Sequence, residues 1–237
     1  MTSYYRYYFE SGEIDGSAER ILAKNELVYE FLKPHLAPGC AVLELGVGKG
    51  YFARVCTEHG HSYRGVEANE DQCRALADEG MEVTCGAVPP VPVEDERFGL
   101  VYCAHLLEHL PDSRAVHALM ADCRRLVDDG GVIALLFPDA MAMGRQFWNC
   151  DYTHVYPTTE RRIAQALADS GYEVLAGHRL SGHYTGARRL LARAVGSRPL
   201  TLRVAQAVAR DPQRQDLFYR GWMYLQQDIL LMARPLG

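Results

Sequence analysis

Glu44-Leu45-Gly46-Val47-Gly48-Lys49-Gly50 is the stretch whose residue types and spacing most directly suggest chemistry. Three glycines behind an acid let the backbone turn tightly and approach a ligand without Cβ clashes. Glu67 closes the next apolar segment. A carboxylate there can accept both hydroxyls of a ribose. The plain alternative is a glycine turn with a solvated glutamate. It is weakened because the two features fall at matching places on consecutive strands. Gly48-Lys49-Gly50-Tyr51-Phe52-Ala53 also satisfies GxGxxA. A dinucleotide site is therefore the rival, and it would have to cradle a pyrophosphate at a helix N-terminus.

Two histidines could move a proton near neutral pH. His105 follows the fourth expected strand, and His154 lies after the fifth, beside Asn149 and Asp151. His154 is favoured as a base, because Asp151 could orient its ring. Each also has a structural reading: a packed histidine for His105, a loop anchor for His154. Glu108-His109 reads as a pair that caps or ties the adjacent helix. Asp151 and His154 lack a third and fourth ligand at matching spacing, so no metal is expected.

These residues need elements to position them. Expected strands run Ala41–Leu45, Tyr63–Glu67, Glu82–Cys85, Leu100–Cys103 and Val132–Phe137, then from Tyr172, and last over Asp228–Ala233. Helices fill the gaps: Tyr51–His59, a segment around Leu76 that stops at Gly80, Pro111 to a stop at Gly130-Gly131, and Thr159–Ser170. Such alternation predicts an α/β fold with a mostly parallel seven-stranded sheet, covered by helices on both faces. Ligands then bind beyond the carboxyl ends of the strands. If the last strand is antiparallel, the long connections 139–158 and 180–226 both sit on that edge. Residues 1–35 read as a helical lead-in or lid, with an aromatic cluster at Tyr4, Tyr5, Tyr7, Tyr8 and Phe9 and a helix ended by Pro34.

The loop Val42–Gly50 resembles motif I of the class I S-adenosylmethionine-dependent methyltransferases, where GxGxG follows an acid. Glu67 resembles their ribose-binding acid. Cys103-Ala104-His105-Leu106-Leu107-Glu108-His109-Leu110-Pro111-Asp112 resembles their "HVLEHLPD" segment, and Arg125–Gly131 resembles "RvLkPGG". Phe147–Thr158 resembles a "FWNDYTHVRPFT" stretch of some bacterial members, with Cys150 added. The resemblance implies a Rossmann-like fold and S-adenosyl-L-methionine as cofactor, with S-adenosyl-L-homocysteine as product. It implies Glu44, Gly46, Gly48, Gly50, Glu67, Ala68, Ala87 and His105 as cofactor contacts. Two positions depart from it. Gly86-Ala87 stands where the family often has Asp after strand three, leaving adenine to backbone groups or Cys85. Phe98-Gly99 replaces "FD", a structural loss.

Methyl transfer from a sulfonium is an in-line displacement in which alignment supplies most of the gain. The expected acceptor is a small molecule, of the natural-product or sugar type. Oxygen is the first choice of acceptor atom, nitrogen the second and carbon the third, with His154 and His105 as candidate bases. A catalytically silent cofactor-binding subunit and an NAD(P) oxidoreductase are the alternatives.

The chain has 237 residues, 48% of them hydrophobic, which is enough for one domain with its own core. The parts would be a core over 38–178, the insertion 180–226 and a final strand over 227–237. A net charge of −5 argues against nucleic acid as partner. The start, Met1–Arg6, lacks a signal peptide's basic and apolar regions. The longest apolar run, Val132–Phe137, is too short to cross a bilayer. Seven scattered cysteines with no CxxC read as reduced thiols in a cytoplasmic protein. The insertion carries Arg188, Arg189, Arg193, Arg198, Arg203, Arg210, Arg214 and Arg220 among apolar residues. Amphipathic helices with solvated arginines are expected there, and a wall for an anionic or carrier-bound acceptor is the sharper alternative. A homodimer stays open.

Overall fold

The computed structural model describes residues 17–94, 96–196 and 212–237. The aromatic cluster Tyr4–Phe9 and the insertion arginines Arg198, Arg203 and Arg210 lie outside the described residues.

The chain enters as helix α1 (Ser17–Leu32), which passes into a 3-10 turn over Lys33–His35. Then follow β1 (Ala41–Leu45), α2 (Tyr51–Glu58), β2 (Ser62–Glu67), α3 (Glu70–Asp78), β3 (Val83–Cys85) and β4 (Phe98–Ala104). A second 3-10 turn, Leu107–His109, leads to α4 (Ser113–Leu126) and β5 (Val127–Pro138). Two single-turn helices, α5 (Ala140–Met143) and α6 (Gln146–Asn149), precede α7 (Glu160–Asp169) and β6 (Tyr172–Ser181). The insertion holds α8 (Gly186–Gly196) and α9 (Pro212–Tyr224), and β7 (Gln227–Pro235) closes the chain.

The strands form one sheet in the order β3-β2-β1-β4-β5-β7-β6. β1 pairs in parallel with both β2 and β4, and β4 pairs in parallel with β5. β7 runs antiparallel between β5 and β6. The strand order reverses between β1 and β4, so the ligand crevice opens beyond their carboxyl ends.

Alternate residues of each central strand serve opposite faces, because successive Cβ atoms point to opposite sides. Leu43, Leu45, Val101, Cys103, Ile133 and Leu135 pack under α4 and α7, through Leu119, Met120, Ile163 and Leu167. Val42, Leu100, Tyr102, Val132, Ala134 and Leu136 pack under α1 and α2, through Val28, Leu32, Phe52 and Val55. Both faces are dry, which is why these strands read as unbroken apolar runs.

Local chemistry sets several helix starts. Asp112 accepts from the Arg114 and Ala115 amides at the start of α4, and Asn69 accepts from the Asp71 and Gln72 amides at the start of α3. Thr159 caps α7 through the Arg162 amide. All three side-chain types are favoured N-caps.

Two expectations about α4 and its surroundings are corrected. The helix ends at Leu126, ahead of Gly130-Gly131. Val127 already pairs with Phe98, and the register resumes at Leu100 with Val132, so residues between them bulge out of the ladder. Glu108-His109 does not cap α4, since Asp112 does. At the departure Gly99, a Cβ would lie 2.8 Å from the Cβ of Cys40. The missing acid therefore reflects close packing of β4 against the residue before β1.

Candidate cofactor and acceptor site

Glu67 ends β2 as a buried carboxylate. Its Oε2 accepts from the Gly48 amide and its Oε1 from the Asn69 amide, each at 2.9 Å. Two backbone donors hold the carboxylate in one orientation, leaving further lone pairs for a ligand. The three loop glycines have different roles. All adopt positive φ, at 81°, 57° and 71° for Gly46, Gly48 and Gly50. A Cβ on Gly50 would strike Leu76 and Met81 at 2.9 Å, so that glycine serves packing beneath the loop. A Cβ on Gly48 would meet nothing within 4 Å. Gly48 thus presents bare backbone to open space, next to the aimed carboxylate. Ala68 and Ala87 are exposed beside this edge, and the Gly86 amide donates to the Glu67 carbonyl at 2.9 Å.

Glu44 lies beneath the loop, 3% exposed, and accepts from the Tyr63 hydroxyl at 2.6 Å. Burial pushes its carboxyl up to about 8, the Tyr63 hydrogen bond opposes this, and the Glu67 carboxylate adds to it.

The adenine side differs from expectation. Cys85 is not available as a contact through its thiol, because Cys73 and Cys85 form a disulfide with Cα atoms 5.9 Å apart. The expectation of seven reduced thiols is corrected at this pair. Cys40, Cys56, Cys103, Cys123 and Cys150 are free.

The candidate acceptor side lies where β4, β5 and β7 end or begin. His105 follows β4 with φ 52°, a left-handed conformation rare outside glycine, and its amide donates to the Leu136 carbonyl at 2.8 Å. Such a backbone is kept only where its surroundings dictate it. The imidazole sits between two acids: Nδ1 is 3.3 Å from Glu108 Oε1 and Nε2 is 3.7 Å from Asp228 Oδ2. Asp228 reaches this edge because β7 is antiparallel, which pairs it with Pro138 at the carboxyl end of β5. Lys24 from α1 forms an ion pair with the same Asp228. Burial pulls the His105 pKa down, Asp228 and Glu108 pull it up, and the sum lies above the ordinary value. Sequence spacing gave no sign of Lys24 and little of Asp228. The only signal was an acid opening an apolar final strand.

The expected Asp151–His154 pairing is corrected. Asp151 Oδ1 accepts from the Thr153 amide at 2.8 Å and the Thr153 hydroxyl at 2.6 Å, which makes a local turn. His154 Nδ1 instead donates to the Phe147 carbonyl at 2.7 Å, and its ring packs on Phe147 and edge-on to His109. His109 bonds Thr153 Oγ1 at 2.8 Å, so it ties down the loop rather than the helix.

In the insertion, Arg188, Arg189 and Arg193 of α8 are exposed, as expected. Leu190 and Leu191 beside them are also exposed, at 60% and 67%, against the expected apolar inner face. Among the described residues, no helix is long and apolar enough to cross a membrane.

An oriented acid beside bare loop backbone, at the switch point of a doubly wound sheet, is the arrangement that a nucleoside-bearing ligand would require. The methyltransferase-domain family matches residues 18–176, and the chain belongs to it. Its fold is that of the class I S-adenosylmethionine-dependent methyltransferases. S-adenosyl-L-methionine is accordingly its cofactor. An S-adenosylmethionine-dependent methyltransferase of Archaeoglobus fulgidus superposes with a TM-score of 0.58 at 20% identity, over 88% of this chain and 93% of its own. One from Clostridium acetobutylicum gives 0.61 at 10% identity, over 91% and 92%. A ubiquinone biosynthesis O-methyltransferase of Methylococcus capsulatus is 27% identical over 130 residues, which is 50% of this chain and 52% of that protein. The chain thus spans about half the length of the curated relatives it matches. The residues present fit the cofactor: Gly48 leaves room that a Cβ would occupy, and Glu67 faces it with an oriented carboxylate.

Proposed function

We propose that this protein transfers a methyl group to an oxygen atom of a small-molecule acceptor, with His105 as the base. The observation that carries this is the placement of His105 at the carboxyl edge, its ring nitrogens 3.3 and 3.7 Å from Glu108 and Asp228. Two flanking acids orient the imidazole and stabilise its cationic form once it has taken a proton. A hydroxyl acceptor must lose that proton as it is methylated, whereas a neutral amine can attack without prior help. The partial match to ubiquinone biosynthesis O-methyltransferases supports oxygen as acceptor atom.

When bound, the cofactor supplies the methyl group on a sulfonium. The chain's own residues do the rest. Glu67 accepts the ribose hydroxyls, and the Gly46–Gly50 backbone lines the cofactor's path, with Ala68 and Ala87 at its rim. The connection after β5 walls the acceptor side. His154 serves there as a loop anchor, which replaces it as first choice of base.

The test is methyl transfer from labelled cofactor to paired acceptors that differ only in carrying a hydroxyl or an amine. Turnover of the hydroxyl compounds, with kcat lowered ~10²–10⁴-fold in His105→Asn and cofactor affinity kept, is the expected result. Turnover of amines alone, or an undiminished kcat in His105→Asn, overturns it.

A further inference from the structure

We propose that Glu108, His109 and His154 form a binding site for a divalent transition-metal ion. One ring nitrogen of each histidine and one oxygen of the Glu108 carboxylate all lie within 4.8 Å of one another. The residues come from two segments, the turn after β4 and the connection after β5. Backbone bonds hold those segments together independently of any ion: the Val155 and Tyr156 amides both donate to the Glu108 carbonyl, at 2.9 and 3.1 Å.

Glu108 is the second, independent observation. Its side chain is fully buried, and neither carboxylate oxygen accepts a hydrogen bond of good geometry. His105 Nδ1 stands 3.3 Å from Oε1. A buried carboxylate whose polar neighbour is one half-exposed imidazole, with no hydrogen bond of good geometry, keeps much of its desolvation cost, which a bound cation offsets.

The histidines are set in the form that binds metal. His154 Nδ1 lies 2.7 Å from the Phe147 carbonyl, which only accepts, so Nδ1 carries the proton. The Thr153 hydroxyl has one proton and gives it to Asp151 Oδ1 at 2.6 Å. Thr153 Oγ1 must therefore accept from His109 Nδ1 at 2.8 Å. In both rings the unprotonated nitrogen is then Nε2. Metal-binding histidines are fixed in this way, with the second ring nitrogen donating to a carbonyl or to a carboxylate-linked group. The sequence hid the site because it suggested Asp151 as the ligand. The fold uses Asp151 one step behind, on Thr153, and brings Glu108 and His109 from a different segment.

Two imidazoles and one carboxylate select zinc, cobalt, manganese or ferrous iron over magnesium and calcium, which prefer oxygen throughout. Three protein ligands leave coordination positions open. An ion there shares Glu108 with His105 and adds positive charge to the acceptor side.

The test is cobalt(II) titration of the untagged full chain after chelator dialysis, followed by visible absorption and by competition with zinc(II). Saturation at one cobalt per chain is expected, with zinc displacing it. Glu108→Gln and His154→Gln should each weaken binding by more than 10-fold. Thr153→Val keeps the side-chain shape and removes the acceptor for His109, so it should weaken binding ~10–100-fold with the fold intact. No saturable cobalt binding overturns the proposal. So does binding that Thr153→Val and His154→Gln leave unchanged. The readout is independent of methyl transfer, so it stands or falls apart from the acceptor chemistry.

Discussion

The Gly48 amide donates to Glu67 Oε2 at 2.9 Å, which ties the glycine loop after β1 to the acid that ends β2. The bond links the two halves of the cofactor site before any ligand arrives. Glu67→Ala removes the proposed ribose acceptor and loosens the loop together. Loss of charge-assisted hydrogen bonds should weaken S-adenosyl-L-homocysteine binding by ~1.5–3 kcal/mol, roughly 10- to 150-fold. Calorimetry on the folded variant reads this directly. Unchanged affinity would show that the ribose lies elsewhere.

Gly48 and Gly50 should fail for different reasons. Gly48→Val puts a branched side chain on a φ of 57° and into open space on the ligand side. Gly50→Ala drives a methyl against Leu76 and Met81. Gly48→Val should abolish cofactor binding with a smaller loss of melting temperature. Gly50→Ala should lose ~1–3 kcal/mol of stability, from its φ of 71° and from the methyl pressing on Leu76 and Met81. Thermal melts with and without cofactor separate the two.

Glu44 makes stability depend on pH with a definite sign. Its carboxyl, pushed up to about 8 by burial, holds a proton in the native state that the unfolded chain releases near the ordinary glutamate value of ~4.3. Between those two values the native state binds more protons, so stability falls as pH rises. Glu44→Gln keeps a neutral, hydrogen-bonding group and removes the titration. The melting temperature of the wild type should fall more than that of Glu44→Gln between pH 5 and pH 8. Parallel curves would mean that Glu44 is ionised in the native protein.

How much was legible in the sequence follows from the range of each interaction. Gly48 follows β1 and Glu67 ends the neighbouring β2, so local spacing was enough to single the two out as a candidate pair. The strands themselves showed as apolar runs because both faces of the sheet are buried. Asp228 and Lys24 come to His105 only through the antiparallel insertion of β7 and the packing of α1, which no local pattern encodes. Asp151 beside His154 misled for the opposite reason. Nearness in sequence suggested a pair, yet the backbone there turns so that Asp151 satisfies Thr153. Gly130-Gly131 misled likewise, since β-pairing of Val127 with Phe98 ends the helix first.

Gly99 marks where packing displaced a family residue. A Cβ there would stand 2.8 Å from Cys40 Cβ. Gly99→Ala should cost ~1–3 kcal/mol by overpacking. Cys40→Gly removes the opposing atom, so Gly99→Ala should cost much less in that background. A double-mutant cycle by urea unfolding measures the coupling. Equal costs in both backgrounds would place the strain elsewhere.

Asp228 is the positioning residue on which the proposed chemistry depends most. Its Oδ2 stands 3.7 Å from His105 Nε2, and the same oxygen pairs with Lys24. If His105 takes the acceptor's proton, Asp228 stabilises the imidazolium that forms and helps to fix the ring. Asp228→Asn preserves shape and removes the charge. With a hydroxyl acceptor, kcat should fall ~10-fold or more while cofactor affinity and acceptor KM stay near their starting values. A merely structural role would instead lower melting temperature and raise both binding constants. The double variant His105→Asn/Asp228→Asn is decisive, because residues that act as one unit are non-additive. Once His105 is gone, loss of Asp228 should cost little more. If the two losses in kcat multiply, the residues act independently, and Asp228 supports the fold of this edge rather than the base.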